Sequence, residues 1–231
     1  VAYAGAGFSG FQQQPGRRTV EGELSRVLAE LGFGGLAFAS RTDAGVHAEG
    51  QVIVFRVPAV QEPLTVGAAL AERFPPDIRM SGVSWAPARF HPRWSALGKE
   101  YLYRVPESTG ECSWERLQAA GEELARCPAL NGFTGPGAPD RPAPPLESLV
   151  IERRGSDIAL RFRGPAFRRY AIRNMVGCVW QQARGELPPG SCTAGAATPP
   201  PYRGLRAPAE GLTLIKVFYP PELDPFPEAG A

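Results

Sequence analysis

Asp43 is the residue around which chemistry can be built, and it stands in the stretch Ser40, Arg41, Thr42, Asp43, Ala44, Gly45, Val46, His47, Ala48, Glu49, Gly50, Gln51. A carboxylate flanked by a guanidinium and a hydroxyl, and followed by the flexible Ala44-Gly45, lies at a turn where a rigid scaffold can present it. Paired with a second acid such a group would cleave a sugar bond, and Glu49 is the only local partner for that reaction. A plainer arrangement serves the same residues: Asp43 bonds its own backbone as a turn residue and Arg41 pairs with it. His47 has no second ligand at metal spacing, so no metal site is expected here.

A presented turn needs strands on both sides. Residues 36–39 and 51–57 read as those strands, with the polar, Gly-containing segment 40–50 between them. Ahead of them a helix is predicted over 19–31: Val20, Leu24, Val27, Leu28 and Leu31 fall at helical spacing, Thr19 caps, Glu21 sits in the first turn and Gly32 stops it. Pro63 opens a second helix through Phe74, and 78–85 and 99–105 are strand candidates, the latter with Tyr101 and Tyr103 on one face.

The second half repeats these elements in weaker form. Ser113 caps a helix with Trp114, Leu117, Ala120 and Leu124 as its buried stripe. Residues 149–152 and 158–162 make a hairpin in which Ile158, Leu160 and Phe162 face one way and Arg161 and Arg163 the other. The longest helix is predicted over 167–184 and a closing strand over 212–219, while the Pro/Gly-rich stretches 135–145 and 188–208 read as loops. Strands and helices that never settle into βαβα alternation predict an α+β fold with a mainly antiparallel sheet. The boundary falls at 106–112, giving an N-terminal half, 1–105, that carries the Asp motif and a C-terminal half, 113–231.

Composition narrows the classes. No apolar run approaches the ~20 residues that a spanning helix needs, and no basic-then-apolar leader is present, so the expected location is cytoplasmic. The first residue is Val1 rather than Met, which reads as a trimmed start. Four cysteines without C-x-x-C spacing and two histidines support neither a zinc site nor a disulfide framework. Net charge is only +2, yet of 25 basic residues just Lys99 and Lys216 are not Arg, the residue whose planar fork suits phosphate and base edges. A GC-rich genome would account equally for that Arg excess and for 25 Pro and 27 Gly.

Several stretches, in order, resemble the signature segments of TruA-type tRNA pseudouridine synthases: G-F-Q-Q-Q at 10–14, R-T-V-E-G-E-L at 18–24, and above all R-T-D-A-G-V-H-A-E-G-Q-V at 41–52. F-H-P-R-W-S-A and K-E-Y-L-Y-R at 90–96 and 99–104, A-F-R-R-Y-A-I-R-N-M-V-G at 166–177 and A-P-A-E-G-L-T-L at 207–214 continue the likeness. The segments near 106–112, 135–145 and 188–208 are shorter than in that family.

The resemblance implies an isomerase that detaches uridine from its sugar at N1, turns the base and rejoins it through C5, after the nucleotide has left its stack. It implies Asp43 as the essential carboxylate, nucleophile or general base, kept ionised by the guanidinium of Arg173. It assigns Tyr101 to stacking on the target base and to the C5 proton, and Leu212 to an apolar pocket wall. Arg41, Thr42, Arg93, Lys99, Arg168 and Arg169 become substrate-binding candidates, with Arg17, Arg18 and Arg89 as further phosphate contacts. It further implies two RNA-recognition-like α+β halves forming one extended sheet with a central cleft, a homodimer, no cofactor or metal, and tRNA as partner at the 3′ side of its anticodon arm.

Overall fold

A computed structural model of the chain describes residues 1–106, 112–135, 142–155, 157–197 and 202–226. The expected boundary at 106–112 and the loop at 135–145 fall largely outside these residues. The chain is α+β and divides into two compact units, Val1–Lys99 with Thr213–Ala231 and Glu100–Leu212. The first unit is therefore built from both ends of the chain, and the units do not coincide with the sequence-continuous halves 1–105 and 113–231.

In the first unit the strands β1 (Ala2–Tyr3), β3 (His47–Ala48), β5 (Ile78–Arg79) and β9 (Leu212–Phe218, in this unit from Thr213) run in the order β5-β1-β3-β9. β1 is antiparallel to β3 and β5, and β3 is parallel to β9 with His47 opposite Thr213. A separate antiparallel ribbon joins β2 (Gly34–Phe38) to β4 (Ile53–Arg56). Strand β5 is far shorter than the expected 78–85, and most of that segment is exposed, so little apolar burial holds it in a ladder.

Helix α1 (Val20–Glu30) forms as its spacing dictates: Thr19 Oγ1 accepts from the Gly22 N–H at 3.2 Å, and Val20, Leu24, Val27 and Leu28 are buried. Each such side chain removed from water contributes about 1.5–3 kcal/mol. Val27 and Leu28 share one core with Phe33 and with Val66 and Leu70 of α2 (Pro63–Ala71), and Leu36 and Phe55 of the ribbon pack against it.

In the second unit β6 (Gly98–Pro106, in this unit from Glu100) neighbours β8 (Asp157–Gly164), which pairs antiparallel with β7 (Ser148–Arg154). Ile158, Leu160 and Phe162 are buried and Arg163 is exposed, as the alternation requires. The hairpin strands run further than expected, up to the pair Arg154 and Asp157. Helix α3 (Trp114–Ala125), capped by Ser113 at Arg116 N–H, packs on β7 and on α4 (Ala171–Ala183). The short helix α5 (Ser191–Ala197) lies inside the expected loop 188–208.

α4 begins four residues later than predicted because Tyr170 sits in the left-handed region at φ 65° and ends the turn before it. A left-handed Tyr is uphill by about 1–3 kcal/mol and persists where its surroundings over-determine it. Here the Arg206 guanidinium lies 3.9 Å over the Tyr170 ring, and the Gly135 N–H donates to Arg169 O at 2.8 Å just before it.

Candidate active site

The Asp43 turn is held from every side in the first unit. The Val46 N–H donates to Asp43 O at 3.1 Å, and Gly45 supplies the φ of 83° that the corner needs. Gln51, 1% exposed, acts as a surrogate strand for Ser40: its Oε1 accepts from Ser40 N–H at 3.1 Å and its Nε2 donates to Ser40 O at 2.7 Å. The same Nε2 reaches Tyr3 Oη at 3.4 Å, and Tyr3 Oη and Thr42 Oγ1 lie 2.8 Å apart. Thr42 O accepts from Phe11 N–H at 3.0 Å, next to Gly10, whose φ of 98° keeps its backbone flat against the turn. Ser40 and Thr42 are buried, Asp43 is half-buried and Arg41 is exposed. The backbone on both sides of Asp43 is thus fixed.

Neither Gln51 nor Tyr3 was assigned a role from sequence. The only signal was a polar Gln at the head of an apolar strand, where an inward position demands partners. Gln51→Leu strands the buried Ser40 N–H and carbonyl, each worth about 1–3 kcal/mol. A loss of roughly 2–4 kcal/mol is expected, read from the urea midpoint at unchanged m value.

Lys99 is placed differently from a phosphate contact on the surface. Its Nζ donates to Ala39 O at 2.7 Å and reaches Ser40 Oγ at 3.3 Å, so it fastens the strand end that leads into the Asp43 turn. Burial, with a smaller contribution from the Arg93 charge, lowers its pKa from 10.5 to about 8. Between those values the unfolded chain binds more protons than the native state, so stability from this group rises with pH across that window. Comparing urea midpoints of wild type and Lys99→Met from about pH 7.5 to about pH 10.5 should show the wild type gaining relative to the variant. Parallel curves would mean that the ammonium is not desolvated.

His47, half-buried, accepts the Gly5 N–H at Nδ1 at 3.2 Å and so supports the backbone there. Arg17, Arg41, Arg89 and Arg93 are exposed. Arg18 is committed internally: both Nη atoms donate to Asp77, at 2.6 and 2.9 Å, its Nε donates to Glu23 at 3.0 Å, and it lies 4.3 Å over the Phe8 ring. These partners hold its charge more firmly than in water, led by the Asp77 bond.

In the second unit Tyr101 is buried on β6, its ring edge-on to Phe167 with centroids 5.3 Å apart. Tyr103, two residues on, donates from Oη to Pro208 O at 3.0 Å, and burial pushes its pKa up to about 12 against the opposing pull of Arg173. Arg173 is half-buried on α4 between the buried Ile172 and Asn174. Its Nε donates to Ala207 O at 2.8 Å and its own carbonyl accepts from Ala207 N–H at 3.1 Å, so the guanidinium is fixed at its base. Leu212 is buried, with its N–H on Ala209 O at 3.0 Å. Arg168 is half-buried, whereas Arg169 is exposed and lies 4.6 Å over the Tyr170 ring. Arg206, unassigned from sequence, joins this group and donates to Asn174 Oδ1 at 3.1 Å.

The family model described as tRNA pseudouridine synthase matches residues 142–220. Among relatives named tRNA pseudouridine synthase A, the Geobacillus kaustophilus protein is 35% identical over 242 residues, spanning 96% of this chain and 93% of its own. The Akkermansia muciniphila protein is 32% identical over 96% of this chain and 94% of its own, and the Methanopyrus kandleri protein 32% identical over 95% and 84%.

Proposed function

Because the chain belongs to the tRNA pseudouridine synthase A family, and is thereby an isomerase acting on tRNA, we propose that Asp43 is its essential carboxylate, with Arg173 as ion-pair partner and Tyr101 as base-stacking residue. The observation that carries this reading is the Asp43 turn, in which Asp43 is half-buried and follows Ser40 and Thr42, both buried and hydrogen-bonded. A turn residue kept only for its backbone would not need a buried Gln, Tyr and Thr network around it.

The reaction balances within one nucleotide. The N1–C1′ bond breaks, the base turns, a C5–C1′ bond forms, the C5 proton leaves and N1 takes up a proton. Asp43 acts as nucleophile or general base, and both roles need the ionised carboxylate. The target nucleotide is extruded from its stack, and an aromatic face such as Tyr101 holds the detached ring with about 1–3 kcal/mol. Arg168 and Arg169 serve as phosphate contacts, which position the RNA without reading sequence, and Arg41, Arg93, Thr42 and Leu212 complete the substrate side. Lys99 contributes by holding the strand end at Ala39 and Ser40.

The substrate within tRNA is the 3′ side of the anticodon arm, and the working form is a cytoplasmic homodimer. Among the described residues no helix is long and apolar enough to cross a membrane. The test is release of tritium from C5-labelled uridine in an anticodon-arm substrate. Release by the wild type is expected, and its absence there with release from another arm of the tRNA would move the assigned site.

A further inference from the structure

Trp94 is 73% exposed, on a turn whose backbone is nonetheless hydrogen-bonded at several points. The Ser95 N–H donates to His91 O at 2.9 Å and the His91 N–H donates to Ser95 Oγ at 3.0 Å, closing the turn from both ends. His91 Nδ1 accepts from the N–H groups of Arg93 and Trp94, at 3.1 and 3.2 Å, so the ring caps the turn from inside. Pro92 O accepts from the buried Tyr219 hydroxyl at 2.7 Å, and the Tyr219 ring packs edge-on against Phe90 with centroids 4.9 Å apart. Two residues beyond Ser95, the Leu97 N–H donates to Phe218 O at 2.8 Å.

A turn pinned this firmly could have buried its indole. Instead it presents the ring to solvent with a guanidinium on it, the Arg93 Cζ lying 4.8 Å from the Trp94 centroid. Arg93 is itself exposed, so a positive charge lies on the aromatic surface. A rigid aromatic ring with a stacked guanidinium is a combination by which proteins hold unpaired nucleotides: bases stack on the ring and the backbone is drawn by charge.

We propose that Trp94, braced by Arg93, is a stacking platform for an unpaired base of the tRNA substrate, separate from the base that undergoes isomerisation. This rests on tRNA as substrate, which family membership supplies, and not on the assignment of Asp43. Preorganisation is what the turn adds, since an indole already held in place loses little freedom on binding.

The test compares wild type with Trp94→Ala and Trp94→Phe by filter binding of tRNA over a range of salt. Trp94→Ala should raise Kd by about tenfold, the scale of one lost base stack, and Trp94→Phe should recover most of it. The slope of log Kd against log salt should stay that of the wild type, because no phosphate contact is removed. Protein fluorescence should fall when tRNA binds, and part of that fall should be missing in Trp94→Ala. An unchanged Kd in Trp94→Ala overturns the proposal, as does a shift of that variant to a smaller sedimenting species with unaltered tRNA affinity, which would make the ring a contact with a second copy. Binding is read independently of turnover, so absence of isomerase activity in the wild type would count against the enzymatic reading alone.

Discussion

Asp43→Asn is expected to abolish tritium release from C5-labelled tRNA, with kcat reduced by at least about 10³-fold. The substitution replaces one carboxylate oxygen by an amide of equal size, so neither nucleophilic attack nor proton abstraction survives. The turn itself should persist, because it is closed by the Asp43 carbonyl and Val46 N–H and fixed through Ser40 and Thr42, and none of these bonds uses the carboxylate. Loss of the proposed ion pair with Arg173 lowers the thermal midpoint, so turnover is compared where both proteins are folded, and an unaltered tRNA affinity there separates lost chemistry from lost fold. Asp43→Glu sharpens the distinction. It keeps the charge but moves the carboxylate by about one methylene, and a displacement near 1 Å is enough to lower a rate by about 10²-fold. A Glu variant with near-normal turnover would mean that the group acts through its charge alone, at a distance.

The parts of this fold that were legible in the sequence are those in which local and tertiary preferences agree. Thr19, the four inward apolar residues of α1, the cap at Ser113 and Pro63 at the first position of α2 point to the elements they start. The β7–β8 hairpin was legible because Ile158, Leu160 and Phe162 recur at the strand period and are all buried. The misses are positions where a tertiary contact decides. Tyr is a poor residue for the left-handed region, and contacts such as the Arg206 stack and the Gly135 bond, which the sequence does not show, hold Tyr170 there and delay α4. α5 spans Ser191–Ala197 in a stretch flanked by Pro and Gly, too short for a periodic apolar signal. At the site, the Asp43 turn could be located from its residue types, but the work of Gln51, Tyr3 and Lys99 could not. Each is polar and buried or half-buried, and a sequence shows that such a residue needs partners without showing which backbone groups provide them.

Arg173→Met should lower kcat by about 10²-fold or more while leaving KM for tRNA nearly unchanged. If Arg173 pairs with the Asp43 carboxylate as proposed, its loss is felt by a group that acts in the chemical step rather than in RNA docking, and 10²-fold corresponds to about 2.7 kcal/mol of barrier. Arg173 also has a structural task. Its Nε holds Ala207 O at 2.8 Å, which ties the segment before β9 to α4, so a drop in stability is expected in any variant that loses this bond. Arg173→Lys separates the two tasks, because an ammonium keeps the charge but lacks the fork that serves two acceptors at once. If charge near the carboxylate is what matters, Lys recovers much of kcat while its thermal midpoint stays as low as that of Met. If the Ala207 tether is what matters, both variants lose activity in step with stability and both recover it at lower temperature. The ion-pair assignment requires the first pattern: activity in Arg173→Lys that outruns its stability, with the loss in Arg173→Met confined to kcat at every temperature where the protein is folded.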